Sequence, residues 1–259
     1  MRRALQQVIR SFHVLAFSRG LPERMALYLH QVPKSQHPAL VAMIQALRSH
    51  GFTFVTAETY RSSLETKQVA LTFDDNYQSW LTLLDLLQQQ QVAATFFVNT
   101  LPSADPTPAA LADYVSRIGC SGDYPGVLSP ADLESIASAG HTLGNHTHSH
   151  PRFSEISDDA AMEDIVQCQH WLSRLAPSPS QFALPYGMQR LLAPSLVPTI
   201  QQLGLEIALG TPGLLHRPAQ QGCWHRSPWR LDKSVRYNLT NLAVDGYWFE
   251  RITGRAAAV

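Results

Sequence analysis

Hydrophobic positions along this chain switch between helical spacing and short unbroken runs, and the switch repeats almost from end to end. Leu5, Val8, Ile9, Phe12, Leu15 and Ala16 fall on one face of a helix over residues 4–18, with Arg2, Arg3 and Arg10 beside it. Such a helix either packs on the domain or lies on a membrane surface as a peripheral foot. Met25 to Leu29 is an apolar run ending at His30, which predicts a strand. Leu40, Met43, Ile44 and Leu47 mark a helix closed by Gly51, and Phe52 to Val55 a second strand. Val69 to Phe73 follows as a strand, then a helix carrying Trp80, Leu83, Leu84 and Leu87, then the strand Ala93 to Val98. Strand, helix, strand with short links implies parallel pairing.

Residues 100–128 break the rhythm with Pro102, Pro106, Pro108, Gly119, Gly122, Pro125 and Gly126. They predict a long loop insertion with one helical turn near 109–118. Ser129-Pro130 then caps a helix that stops at Gly140. A strand at Thr142–Asn145, a helix over 157–175, a strand at Phe182–Leu184 stopped by Pro185, a helix over 195–203 and a strand over 205–209 complete the pattern. The domain division read from this is an N-terminal helical extension, 1–24, and one domain over 25–259.

Composition adds bounds. The 259 residues are 45% hydrophobic and 15% charged, enough to bury a sizeable core. Twenty basic residues balance twenty acidic ones, and no sustained basic stretch proposes a nucleic-acid footprint. Cys120, Cys168 and Cys223 are odd in number and widely spaced, as for thiols in a reducing compartment. After Met1-Arg2-Arg3 the residues Gln6, Gln7, Arg10 and His13 interrupt any apolar signal core, and no run is long enough to span a bilayer. The expected location is therefore cytoplasmic, or peripheral to the inner membrane if residues 2–19 serve as a foot. Oligomeric state is not legible.

Two stretches carry chemistry. Thr72-Phe73-Asp74-Asp75-Asn76-Tyr77 delivers two carboxylates to a strand end, where burial without a cation would be costly. A strand-end cap followed by a turn is the plainer explanation of that stretch alone. His146 and His150, in Gly144-Asn145-His146-Thr147-His148-Ser149-His150-Pro151, are four apart, so on a helical turn they share a face and can ligate one ion. Thr147 follows the first histidine, so a general base must come from elsewhere in the chain. If Asp75 joins the two histidines, three protein ligands leave a fourth position open, and Asp74 remains free to handle water. His141 and His148 read as structural residues. A two-histidine, one-carboxylate iron oxygenase is a weaker alternative that leaves Asp74 unemployed.

Thr72-Phe73-Asp74-Asp75 and His146-Thr147-His148-Ser149-His150 resemble the first two motifs of the polysaccharide deacetylases, the NodB-homology carbohydrate esterases. Phe182-Ala183-Leu184-Pro185-Tyr186-Gly187 is similar to the third. The resemblance covers roughly residues 25–230. It implies a distorted (β/α)7-type barrel and removal of an N-acetyl group from an amino sugar of a polysaccharide, oligosaccharide or lipid-linked glycan precursor. It also implies a divalent metal, zinc first, with cobalt, manganese, iron or nickel as substitutes. By the same resemblance Asp75, His146 and His150 hold the metal, Asp74 is the base, and the backbone N–H of Tyr186 stabilises the oxyanion.

The general acid is a histidine late in the chain in most of the family, which makes His216 and His225 candidates. In a circularly permuted subgroup it ends an N-terminal strand, and Leu27-Tyr28-Leu29-His30 resembles that arrangement; His30 is preferred. Two departures stand out. Ala183 occupies the position of an arginine that orients the base in the family, so Asp74 is expected to be poorly oriented with a raised pKa. Arg226 is a candidate substitute cation. Asn76 replaces a customary glycine. Ala183 and the open choice of general acid motivate an alternative function, a catalytically impaired glycan-binding protein on the same fold. Trp224, Trp229 and Trp248 could stack on a sugar or belong to the core.

Overall fold

The structure, a computed structural model, describes residues 20–120, 124, 126–210, 215, 219 and 221–244. The helix expected over 4–18, His216 and Trp248 lie outside the described residues. So does most of the extension over 1–24.

The strands are β1 (Arg24–Leu29), β2 (Thr53–Val55), β3 (Gln68–Asp75), β4 (Thr95–Val98), β5 (Thr142–Asn145), β6 (Gln181–Ala183), β7 (Glu206–Leu209), β8 (Cys223–His225) and β9 (Ser227–Pro228). They form one sheet in the order β8-β7-β6-β5-β4-β3-β1-β9, with β2 also paired to β3. All the pairings described are parallel. The two ends of that path, β8 and β9, are consecutive in sequence on either side of Arg226. The run 223–228 therefore leaves β7, crosses to β1 and brings the sheet round into a distorted barrel.

Alternation along the strands sorts the core. Met25, Leu27 and Leu29 of β1 and Val69, Leu71 and Phe73 of β3 face outward, where Leu40, Met43, Ile44 and Leu47 of the helix His37–Ser49 join the same cluster. The intervening positions face inward. Ala26, Ala70, Ala183 and Ala208 cluster there with Phe97 and Trp224. These methyl-sized residues leave room inside the barrel for longer polar side chains from the strand ends. Trp224 and Trp229 are buried, so neither offers a face to a sugar.

Most expected elements are present within a residue or two. The insertion is more ordered than its prolines suggested. It holds the helices Leu101–Ala104 and Pro108–Arg117, the second capped by Thr107 and burying Tyr114. Pro108 stands at the first helical position, where its missing N–H costs nothing, so Thr107-Pro108 starts a helix rather than breaking one. Two capped helices were not anticipated, Ala57–Ser62 after Thr56 and Val235–Ala243 after Ser234. No helix among the described residues is long and apolar enough to cross a membrane.

Candidate active site

The inward row of β3 is Ala70, Thr72, Asp74, so Asp74 points into the barrel mouth by alternation alone. Asp75 would face outward, but its φ of 83° turns the strand end. Thr147, His150 and Tyr186 also have positive φ. Four of the six such non-glycine residues described thus lie in one place, where the surroundings must hold an unfavourable backbone.

His146 follows β5 directly. The His146–His150 segment is an irregular loop rather than the helical turn expected from the spacing. Asn145 Oδ1 accepts from Thr147 N (2.9 Å) and Thr147 Oγ1 from His150 N (3.0 Å), and these bonds fold the two rings onto one side. His146 Nδ1 donates to the Ala183 carbonyl at 2.8 Å, which fixes the tautomer and leaves Nε2 as a free lone pair. His146 Nε2 and His150 Nε2 lie 3.5 and 3.6 Å from Asp75 Oδ1. Ligand atoms around a tetrahedral zinc are about 3.3 Å apart. Asp75, His146 and His150 are buried, and their ligand atoms all fall within 4.8 Å of one another.

The protonation states suit a cation. Burial drives the His150 pKa down to about 3, against the opposing pull of Asp75, so the ring is neutral and able to ligate. Burial alone would raise the Asp75 pKa, but the surrounding imidazoles of His146, His30 and His150 outweigh it and hold the pKa below the usual carboxylate range. The donor set, one carboxylate oxygen and two imidazole nitrogens, fits zinc or a similar divalent ion.

Asp74 sits beside this cluster, 4% exposed, and Arg226 grips it. Arg226 Nη1 donates to Asp74 Oδ1 (2.6 Å) and Nη2 to Oδ2 (2.8 Å), while Nη1 also reaches Thr72 Oγ1 at 2.9 Å. The guanidinium lies over the rings of Phe97 and Tyr28, 4.9 and 5.2 Å from their centroids. Burial acts to raise the Asp74 pKa, yet the Arg226 charge, then His146, the Arg226 hydrogen bonds and His30 outweigh it, and the pKa falls. The raised pKa expected from Ala183 is therefore wrong. The cation that the third motif lacks arrives from the seam of the barrel, where Arg226 N is bonded to Leu209 O.

His30 follows β1 directly, exposed, with its ring edge-on to Tyr28 at 5.6 Å. It lines the same cleft as Asp74 and Asp75, a cavity of about 300 Å³. His225 is buried and is not part of the cleft lining. It falls between inward-facing Trp224 and Arg226, so alternation turns its ring away. Tyr186 packs its ring against His150 at 4.7 Å, donates its hydroxyl to Arg117 O at 2.8 Å and lines the cleft. His148 bonds Thr100 and Gln167, and His141 accepts from Ala94 N, as structural residues.

The cleft has further walls that the motifs did not indicate. Tyr28 lies two residues before His30 on one strand face, a signal present in the β1 pattern. Ile118, Gly119 and Cys120 come from the insertion, and no local signal marked them. Gly187 and Gly210 meet back to back: a Cβ on Gly187, at φ +66°, would lie 2.7 Å from Gly210 Cα. Gly187→Ala is expected to cost about 2–3 kcal/mol through that clash and the left-handed backbone. Thermal melts should show a loss of roughly 5–10 °C.

Comparisons with known proteins agree with the resemblance in the motifs. The polysaccharide deacetylase profile matches residues 61–208, more than half the chain, and the chain belongs to that family. It is 32% identical over 123 residues to a peptidoglycan-N-acetylglucosamine deacetylase of Bacillus cereus, covering 46% of this chain and 36% of that protein. It is 27% identical over 148 residues to a chitooligosaccharide deacetylase of Bradyrhizobium sp., covering 55% and 57% respectively. The chain thus spans less than two thirds of these relatives. The fold is shared with the Streptococcus pyogenes deacetylase PplD, solved in complex with acetate: TM-score 0.65, 14% identity, 87% of this chain and 99% of that one.

Proposed function

We propose that this protein is a metal-dependent N-deacetylase acting on an N-acetylated amino sugar in a polysaccharide, oligosaccharide or lipid-linked glycan precursor. The observation that carries the proposal is the buried Asp75–His146–His150 cluster beside an Arg226-clamped Asp74 in one cleft. We assign the catalytic barrel to residues 25–259, and a carbohydrate as the partner, with residues 1–24 an extension whose surface contacts are open to test.

A divalent ion held by Asp75, His146 and His150 would lower the pKa of water and polarise the amide carbonyl. Asp74, ionised and held by two hydrogen bonds, takes the proton of the attacking water. Arg226 fixes which oxygens of Asp74 face the cleft, and geometry at that level is worth about a hundredfold in rate. The N–H of Tyr186 donates to the oxyanion as the carbonyl becomes tetrahedral. His30, which lines the same cleft as Asp74, gives a proton to the departing amine.

Acetate release from N-acetylated mono- and oligosaccharides, measured with metal stripped and restored, tests the proposal. Activity that returns with stoichiometric zinc or cobalt is expected; none across the panel would reject it. His30→Gln should lower kcat by about 10²–10⁴ and remove the basic limb of its pH profile. An unchanged profile would remove His30 as the acid. The impaired-binder alternative rests on Ala183 and on the open choice of general acid; the Arg226–Asp74 pair answers the first, and the His30 variant tests the second.

A further inference from the structure

Asn76, one residue beyond the Asp pair, is fully buried, and its carboxamide makes three hydrogen bonds. Nδ2 donates to Asn99 O (3.0 Å) and Ser103 Oγ (2.8 Å), and Oδ1 accepts from Leu128 N (2.9 Å). Its backbone carbonyl accepts from the Tyr124 hydroxyl. Ser103 Oγ donates in turn to Leu128 O at 2.6 Å, so both ends of the insertion converge on one side chain. Between those ends lie the helix Pro108–Arg117 and the cleft wall Ile118, Gly119 and Cys120.

Asn99 does the complementary work. Its Nδ2 donates to the His146 carbonyl and, at 3.3 Å, to Thr147 O and Oγ1, while its Oδ1 accepts from Tyr114 of the insertion. Asn99 thus holds the histidine loop, whereas the partners of the Asn76 side chain are confined to 99–128. A glycine at position 76, customary in the family, could make none of these side-chain bonds.

We propose that Asn76 is a positioning residue that pins the insertion and so fixes the wall of the substrate cleft. Its effect on the reaction, which rests on the deacetylase proposal, is on substrate fit rather than on the chemical step. The cleft of about 300 Å³ is at the small end for ligand pockets. A wall free to move would therefore change what the cleft grips before it changed the groups that react.

The test is hydrogen–deuterium exchange on the full chain for wild type, Asn76→Gly and Ser103→Ala. Ser103→Ala removes part of the same clamp without touching the strand that carries the Asp pair. Exchange of backbone amides over 101–118 and 126–128 should rise at least about tenfold in both variants, with β4 and β5 unchanged. Unchanged exchange in the insertion, or an equal rise throughout the barrel, overturns the proposal. In steady-state assays KM on an N-acetylated oligosaccharide should rise at least fivefold, with any fall in kcat, transmitted through the Arg117 carbonyl to Tyr186, smaller than the rise in KM. A fall in kcat at constant KM overturns the role in substrate fit. If wild type turns over no N-acetylated substrate, the deacetylase proposal fails, while the exchange data still decide whether Asn76 pins the insertion.

Discussion

Arg226→Ala is expected to lower kcat/KM by about a hundredfold or more, because Asp74, the proposed base, loses the two bonds that aim it. It should also destabilise the fold by about 3–5 kcal/mol, since Asp74 would be left as a buried charge without its partner. The pH profile carries the sign. The Asp74 pKa is held down, chiefly by Arg226 acting against burial, so without the guanidinium that pKa rises and the acid limb of activity moves to higher pH. By linkage, the ion pair stabilises the fold above the ordinary carboxylate range. That contribution is lost as pH falls through the depressed pKa of the folded state.

Arg226→Lys should recover little, because an ammonium cannot make the paired, planar contact. Adding Ala183→Arg to Arg226→Ala returns a cation from the third motif into space the first change vacates. Partial recovery, at least about tenfold over the single variant, is expected if position and charge are what matter. Steady-state kinetics across pH, with denaturant melts of each variant, check all of these. An acid limb that stays in place would remove Arg226 from the mechanism.

Asp74→Asn should reduce turnover by about 10³-fold or more while metal binding survives. The amide cannot take a proton from water, yet Asp75, His146 and His150 keep their places. Asp75→Asn and His146→Ala should instead lose the metal together with the activity. Titration of the apoprotein with zinc, read calorimetrically, separates the two groups. Metal loss in Asp74→Asn would mean that both carboxylates belong to the ion, leaving the reaction without its base.

Asp75 and the two histidines were legible because motif residues keep their order and spacing in the chain, whatever fold brings them together. Their local presentation was not. The four-residue interval suggested a helical turn, whereas Asn145 and Thr147 bonds and positive φ at Thr147 and His150 build a loop that reaches the same end. The pattern also missed the helix Pro108–Arg117 as a full element, since prolines that start helices and prolines that end them look alike in sequence.

The order of strands and helices, the inward row ending at Asp74 and the candidate ligand residues were set by the sequence itself, because period and motif spacing are local properties. Which cation steadies Asp74, which histidine shares its cleft and what walls that cleft were decided only in three dimensions. Arg226 is 152 positions from Asp74. It reaches the carboxylate because the run 223–228 closes the barrel between β7 and β1 across a lining of alanines small enough to admit a guanidinium. No window of the chain contains that contact; it exists only once the ends of the sheet have met.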